Sequence, residues 1–421
     1  MQRGKLPIVK KNLNKLVLLL TALMFILTAC SQKSSNSSNT TESTNTTEST
    51  AQAAGDSEPL KIGVILSFTG TFAPLSESIK NGLELYFEQN NWVIGNRKVE
   101  IKYEDDEANP QTALRKYRQL VDSEKVDILV GPISSSVINA LRDPIEKDKI
   151  VLIDANAAAN DVSWGKKSDY IYRVSFSNWQ NGSAGAAYYA KNVGKTAFVI
   201  GPDYPAGHEV ADAFIAAFEQ AGGKVVKSVF PKLGTNDFAT YLTEVASAKP
   251  DLVFAFATGT DGIRFVQQYK EFGLQGKIPL TGPLELGDEL ITGPAGDAAE
   301  GILANAIWVP AIDNDANKKF IDAYKAKYNK APNVFSVDGY DSAQLIHQAI
   351  EKSGSKKSED LIKVLKGITF ESPRGTITID AKTNNPIQNF YIVKNVKKDG
   401  ILQEILDTVP NVTMPEQAPA K

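Results

Sequence analysis

Asp127-Ile-Leu-Val-Gly-Pro-Ile-Ser-Ser-Ser136 opens as a short apolar run of strand type, breaks at Gly131-Pro132, and ends in three serines ahead of Val137-Ile-Asn-Ala-Leu-Arg142, which reads as a helix. A strand, a tight turn and a hydroxyl-rich helix start together make an anion cradle. The first N–H groups of a helix lack intrahelical partners and sit at the positive end of its dipole, so a carboxylate held there gains the serine hydroxyls as further donors. Two readings are open. Either the turn holds one end of a small extracellular solute, or a serine only N-caps its own helix, as serine often does.

Outward from this stretch, short apolar runs alternate with amphipathic ones from Leu60 onward, the pattern of βαβ units and a parallel sheet. Strands are expected at Lys61–Leu66, Val99–Tyr103, Asp127–Val130 and Ile150–Ile153, with helices at about 76–90, 110–123 and 135–147. A second series repeats the plan. Its strands are expected near Ala197–Ile200, Lys224–Phe230, Leu252–Phe256 and Ile278–Thr281, and its helices near 180–192, 207–221, 237–247 and 260–272. After Gly301–Val309 come helical stretches at about 314–328 and 338–353, then Asp360–Lys366, and strands at Gly375–Ile379 and Asn389–Val396. A hydrophobic content of 42% is ample for two ordinary domains.

The chain starts differently. Arg3, Lys5, Lys10, Lys11 and Lys15 precede an apolar run from Leu16 to Leu27, too short for a comfortable membrane span. The run ends in Leu27-Thr28-Ala29-Cys30, which resembles the lipobox of bacterial lipoproteins, in which the cysteine is acylated. Cys30 is the single cysteine of the chain, so an internal disulfide is excluded. Residues 1–29 therefore read as a lipoprotein signal peptide, and 30–58, rich in Ser, Thr and Asn, as a disordered tether that lacks the apolar surface to offset its ordering entropy. Removing the five positive charges before Cys30 takes the net charge from −3 to −8. That balance argues against nucleic acid, which needs clustered positive charge.

The order of elements, together with Ile62-Gly63-Val64, Ser67-Phe-Thr-Gly-Thr-Phe-Ala73, Val130-Gly-Pro-Ile-Ser-Ser-Ser136 and Val337-Asp-Gly-Tyr-Asp-Ser342, resembles the solute-binding proteins of branched-chain amino acid type ABC transporters, over about 59–405. The resemblance implies an α/β, two-lobed type I periplasmic-binding-protein fold, each lobe a doubly wound, mostly parallel sheet. It implies an N-terminal lobe of 59–176 plus 310–370, a C-terminal lobe of 177–309 plus 371–408, and a tail at 409–421. Crossings between lobes are implied near Val174–Ser177, Val309–Ala311 and Thr369–Glu371. Ligand would lie between the lobes at the carboxyl ends of the strands.

By the same resemblance the carboxylate-binding serine falls on Ser135, beside Ser134. The next loop presents Asn156, Ala157 and Ala158, with Ala158 standing where the family has a threonine. The family's ammonium-binding acid aligns with Leu284, and Glu285 is its neighbour. An α-ammonium buried in a cleft needs a carboxylate or several acceptors. The lost threonine and displaced acid therefore lean toward a hydrophobic or aromatic acid over leucine. The Asp203-Tyr204 turn and the segment Ser372-Pro-Arg-Gly375 lean the same way, by likeness to such relatives. Phe72, Trp179 and Tyr204 are candidate apolar walls, although Phe72 and Trp179 equally suit packing at the lobe interface or hinge. Ser67 and Thr69 in the first loop and Thr258 at a helix start complete the candidates. Arg374 fits a hinge salt bridge better than the site.

No enzyme signature emerges. The two histidines, His208 and His347, lie near no nucleophile elbow, and there is no Walker loop, Cys/His cluster or His-Glu-x-x-His motif. Asp105 and Asp106 are adjacent at a strand end and point to opposite sides. No cofactor or metal is expected. The expected function is capture of a carboxylate-bearing solute, an amino acid or a hydrophobic or aromatic acid, for an ABC transporter permease, outside the cytoplasm, from a membrane anchor at Cys30. The alternative is a receptor subunit with the same clamp that signals; this sequence shows neither a spanning helix nor a signalling domain, which favours transport.

Overall fold

The computed structural model describes residues 58–418; the leader, Cys30 and the tether up to residue 57 lie outside the described residues. Six strands form the first sheet: β1 (Leu60–Leu66), β2 (Val93–Ile94), β3 (Arg97–Asp105), β4 (Ile128–Val130), β5 (Leu152–Asp154) and β6 (Ile171–Arg173), in the order β2-β3-β1-β4-β5-β6. All neighbours are parallel except β2 and β3. Central β1 is apolar almost throughout and buried on both faces, as a parallel strand with helices above and below must be. Its Ile62 stands between Ile101 and Ile128.

The second sheet holds β7 (Thr196–Ile200), β8 (Lys224–Val229), β9 (Leu252–Ala255), β10 (Leu280–Gly282), β11 (Leu303–Ala306), β12 (Thr369–Ser372), β13 (Gly375–Ile379), β14 (Pro386–Lys397) and β15 (Ile401–Val412). Its order is β12-β13-β14-β11-β10-β9-β7-β8, with β15 added on β14. Strands β7 to β11 pair in parallel, and the late strands pair antiparallel. Alternate side chains of β7 feed two separate cores, Phe198 and Ile200 on one face and Ala197 and Val199 on the other. That two-sided burial makes the sheet doubly wound. On the second face Phe214 stacks on Phe254 at 3.8 Å between ring centroids.

The chain passes between the sheets three times. It leaves the first after β6, returns after β11 through the helices Asp315–Tyr328 and Val334–Ser353, and leaves again along β12 to β14. Arg374 stands at this junction. Its guanidinium donates to Asp341 Oδ2 at 2.7 and 2.9 Å and to the Val174 carbonyl at 2.6 Å, with both members of the pair buried. The hinge salt bridge expected for Arg374 is what forms.

Several boundaries depart from the sequence reading. The helix expected at 180–192 is two, Asn178–Ser183 and Ala186–Asn192, because Ser177 and Gln180 form a capping box that starts the first early, and the chain breaks at Gly185. The third crossing, expected at Thr369–Glu371, is the strand β12, hairpinned to β13. Ile377 and Ile379, grouped on sequence with the second lobe, are buried in the cluster that includes the first sheet's core. Residues 409–412, read as tail, belong to β15 and pair with β14.

Candidate functional site

Each sheet reverses its winding direction once, between β1 and β4 in the first and between β7 and β9 in the second. Loops that leave the carboxyl ends of strands on either side of such a point splay apart and open a crevice. The two crevices face one another. A small cavity, about 20 Å³, is lined by Phe72 and Leu75 after β1, Ile133 and Ser135 after β4, Asn156 and Ala158 after β5, and Phe176 and Asn178 after β6. From the second sheet come Tyr204 and Ala206 after β7, Phe256 and Thr258 after β9, and Glu285 after β10. Every lining residue follows the carboxyl end of a parallel strand.

On the first-sheet side, Gly131 makes the turn possible. Its φ is +110°, and a Cβ there would lie 2.0 Å from the Ile65 carbonyl oxygen, so the chain can turn this tightly out of β4 only at glycine. The helix Ser135–Asp148 then starts with Ser134 at the N-cap, whose side chain makes no capping hydrogen bond. The capping use of Ser134 is thereby excluded, while Ser135, 1% exposed, stands at the first helical position on the cavity wall. The neighbouring loop is pinned from behind. Buried Arg173 donates to the carbonyls of Ala157 and Ala159 at 3.3 and 3.0 Å, and the Asn178 N–H donates to the Ala158 carbonyl at 2.7 Å. With those oxygens engaged, the backbone around Ala158 is fixed where it borders the cavity.

On the second-sheet side, Tyr204 and Thr258 occupy N-cap positions of the helices Pro205–Gln220 and Gly259–Glu271, and neither side chain caps its helix. The Tyr204 ring meets Phe72 with centroids 6.3 Å apart, an aromatic contact from one sheet's loops to the other's. Gly259 sits on the first loop so closely that a Cβ would lie 2.1 Å from the Thr71 carbonyl oxygen. Burial pushes the Glu285 carboxyl up to about 7, and the Asn181 amide, donating at 3.0 and 3.1 Å, opposes this only in part. No Lys or Arg is among the lining residues. An anion here must be held by N–H and O–H dipoles, and burial leaves the one acid on the wall only partly ionised near pH 7.

Of the expected residues, Phe72, Ser135, Asn156, Ala158, Tyr204, Thr258 and Glu285 come together on this wall. The others do not. Ser67 is turned into the protein, where its hydroxyl donates to buried Asp106 at 2.6 Å. Thr69 is exposed. Ser134 is buried beside the turn, away from the lining. Ala157 is held by its N–H to the Pro132 carbonyl at 3.1 Å. Trp179 donates its N–H to Asn160 and packs against Trp164, ring centroids 6.2 Å apart. The lining residues not anticipated are Leu75, Ile133, Phe176, Asn178, Ala206 and Phe256. Phe256 ends an expected strand and was findable as such. Phe176 and Asn178 follow β6, which contains the charged Arg173 and so carries no apolar-run signal.

Residues 59–400 match the family described as periplasmic binding protein. The Leu/Ile/Val-binding protein homolog 6 of Brucella melitensis is 31% identical over 355 residues, 83% of this chain and 90% of that one. A solute-binding protein of an ABC transporter from R. palustris, solved in complex with benzoate, superposes with a TM-score of 0.81 at 33% identity, covering 85% of this chain and 99% of the other. A second, from Rhodopseudomonas palustris BisB5 in complex with 3,4-dihydroxybenzoic acid, gives 0.81 at 30% identity, with 85% and 99% covered. A leucine-binding protein of Thermotoga maritima gives 0.74 at 25%, with 83% and 99% covered. Two doubly wound lobes, three passages between them and a cavity at their facing switch points agree with these matches: the chain is a member of the periplasmic binding protein family, of the leucine-binding, type I kind that serves ABC transporters as solute-binding proteins.

Proposed function

We propose that this protein captures a small aromatic or other hydrophobic carboxylate between its lobes and delivers it to an ABC transporter permease, held outside the cytoplasm by a lipid on Cys30. The observation that carries the reading is the cavity wall. Four rings, Phe72, Phe176, Tyr204 and Phe256, stand on that wall as surfaces for an aromatic solute to pack against, with Ser135 at a helix start as the polar end. The carboxylate is held by the Ser135 hydroxyl and the neighbouring N–H groups; Asn156, Ala158 and Thr258 complete the polar wall. Ser67, Thr69, Ser134, Ala157 and Trp179 have no part in this reading. The domain division at the three chain passages makes each lobe one half of the clamp.

Glu285 favours a second reading, an amino acid whose ammonium it would accept. Calorimetry with benzoate, 4-hydroxybenzoate, 3,4-dihydroxybenzoate, leucine, isoleucine and valine separates the two. The aromatic acids are expected to bind and leucine is not; the reverse order would overturn the aromatic reading in favour of the amino acid. The anchor is tested apart from the ligand: Cys30→Ala is expected to move the protein from the membrane fraction to the medium.

A further inference from the structure

Glu209 lies one turn into the helix Pro205–Gln220 of the second lobe and is half-buried. A single one of its carboxylate oxygens, Oε2, accepts two hydrogen bonds, from the Asn160 N–H at 2.8 Å and from Asn178 Nδ2 at 2.8 Å. Asn160 follows β5 of the first lobe, so the first of these bonds ties lobe to lobe. The second does something more. Asn178 Nδ2 carries two hydrogens, and the other goes to Ser135 Oγ at 3.2 Å. A carboxylate accepts and cannot donate. Glu209 therefore dictates which end of the Asn178 amide faces it: were the amide reversed, its oxygen would meet the carboxylate and its NH₂ would turn away from Ser135. With Nδ2 donating to Oγ, the serine's own hydrogen is directed elsewhere, and the cavity that Ser135 lines is where a carboxylate would receive it.

We infer that Glu209 is a positioning residue for solute capture: it fixes the Asn178 amide so that Ser135 presents its hydroxyl hydrogen to the cavity, and by its bond to Asn160 it does so when the lobes are together. This rests on the proposed carboxylate role of Ser135 and extends it to a residue outside the cavity lining. The arrangement joins two events. When the lobes part, Glu209 leaves Asn160 and the path through Asn178 loosens; when they meet, the hydroxyl is aimed. Glu209 would thus act on retention of the solute more than on its arrival.

The test uses the full mature protein with benzoate, 4-hydroxybenzoate and leucine as probes, read by calorimetry and by stopped-flow dissociation. Glu209→Ala and Asn178→Ala are each expected to weaken the best-bound probe about tenfold, mainly through faster dissociation, as for loss of one charge-assisted hydrogen bond. The double variant is expected to lose no more than either alone, because both act along one path. Glu209→Gln is expected to stay within about twofold of wild type, since one amide oxygen can accept the two bonds that Oε2 now accepts. A merely structural role predicts otherwise: no rescue by glutamine and losses that multiply, and either result overturns the inference, as does a Glu209→Ala protein that binds like wild type. Hydrogen exchange at the Asn160 amide in protein saturated with the best-bound probe, where the lobes are together, separates failures. If no probe binds wild type, the carboxylate reading and this extension of it both fall. If wild type binds and Asn160 exchanges equally fast in wild type and Glu209→Ala, only the role given to Glu209 falls.

Discussion

Replacing Ser135 by alanine removes a hydroxyl from the cavity wall but leaves the helix start, which rests on no side-chain cap, and the surrounding packing in place. Binding of the solute is expected to weaken by about 1–3 kcal/mol, with the urea midpoint unchanged, as for one hydrogen bond to a charged group. An unaltered dissociation constant by calorimetry would remove Ser135 from the site. Glu285 supplies a prediction in pH. Its carboxyl is raised from 4.5 to about 7 by burial, so the folded state holds a proton that the unfolded state has released between those values. Stability therefore falls as pH rises from about 4.5 to 7 and stays lowered above, by about 3 kcal/mol for this group. Glu285→Gln is expected to melt higher than wild type at pH 8 and to match it near pH 4.5; a difference that does not change with pH would contradict the burial argument. Residues of this kind were legible when they stand just past a strand end, as Ser135, Asn156, Tyr204 and Thr258 do. Asn178 and Glu209 were not. Their importance lies in hydrogen bonds to partners 43 and 49 residues away, and a polar side chain on a helix surface reads as a solvated one.

At the scale of elements, the tight turn after β4 depends on Gly131. Alanine there must adopt φ near +110° and meet the Ile65 carbonyl oxygen. The left-handed conformation alone costs about 1–3 kcal/mol, and the overlap adds to it, so Gly131→Ala is expected to lower the urea midpoint and, by shifting the helix Ser135–Asp148, to weaken solute binding as well. Normal affinity in a destabilised Gly131→Ala protein would mean that the helix start does not depend on this turn. The parallel strands were readable because burial on both faces forces unbroken apolar runs, as in Leu60–Leu66 and Ile128–Val130. Strand β6 was not, since Ile171–Arg173 ends in an arginine that is stable inside only because Asp154 and four further acceptors surround it. Strand β15 was missed for a related reason. Its Glu404, Asp407 and Pro410 break up any apolar run, and only its pairing with β14 makes the edge position tolerable.

Across the whole molecule, the first and third passages between lobes meet at one buried cation. Arg374 donates to Asp341 on the long helix that follows the second passage, to the Val174 carbonyl on the first passage, and to Gln388 Oε1 on β14. Burial pushes the Asp341 carboxyl up, and Arg374 and Ser372 pull against it. Such a pair contributes little net stability over an apolar replacement of equal size, yet breaking it from one side strands a charge in the interior. Arg374→Met is therefore expected to destabilise by about 3–5 kcal/mol, whereas Arg374→Met combined with Asp341→Leu is expected to recover much of that loss. The same double variant tests whether the junction also steers closure. With the pair gone but the fold restored, the first passage loses its tie at Val174 while the cavity lining is untouched. Solute affinity is then expected to drop through the closing step, seen as a smaller change in radius of gyration on adding ligand in small-angle scattering. If the double variant closes and binds like wild type, Arg374 and Asp341 hold the junction together without guiding the lobes.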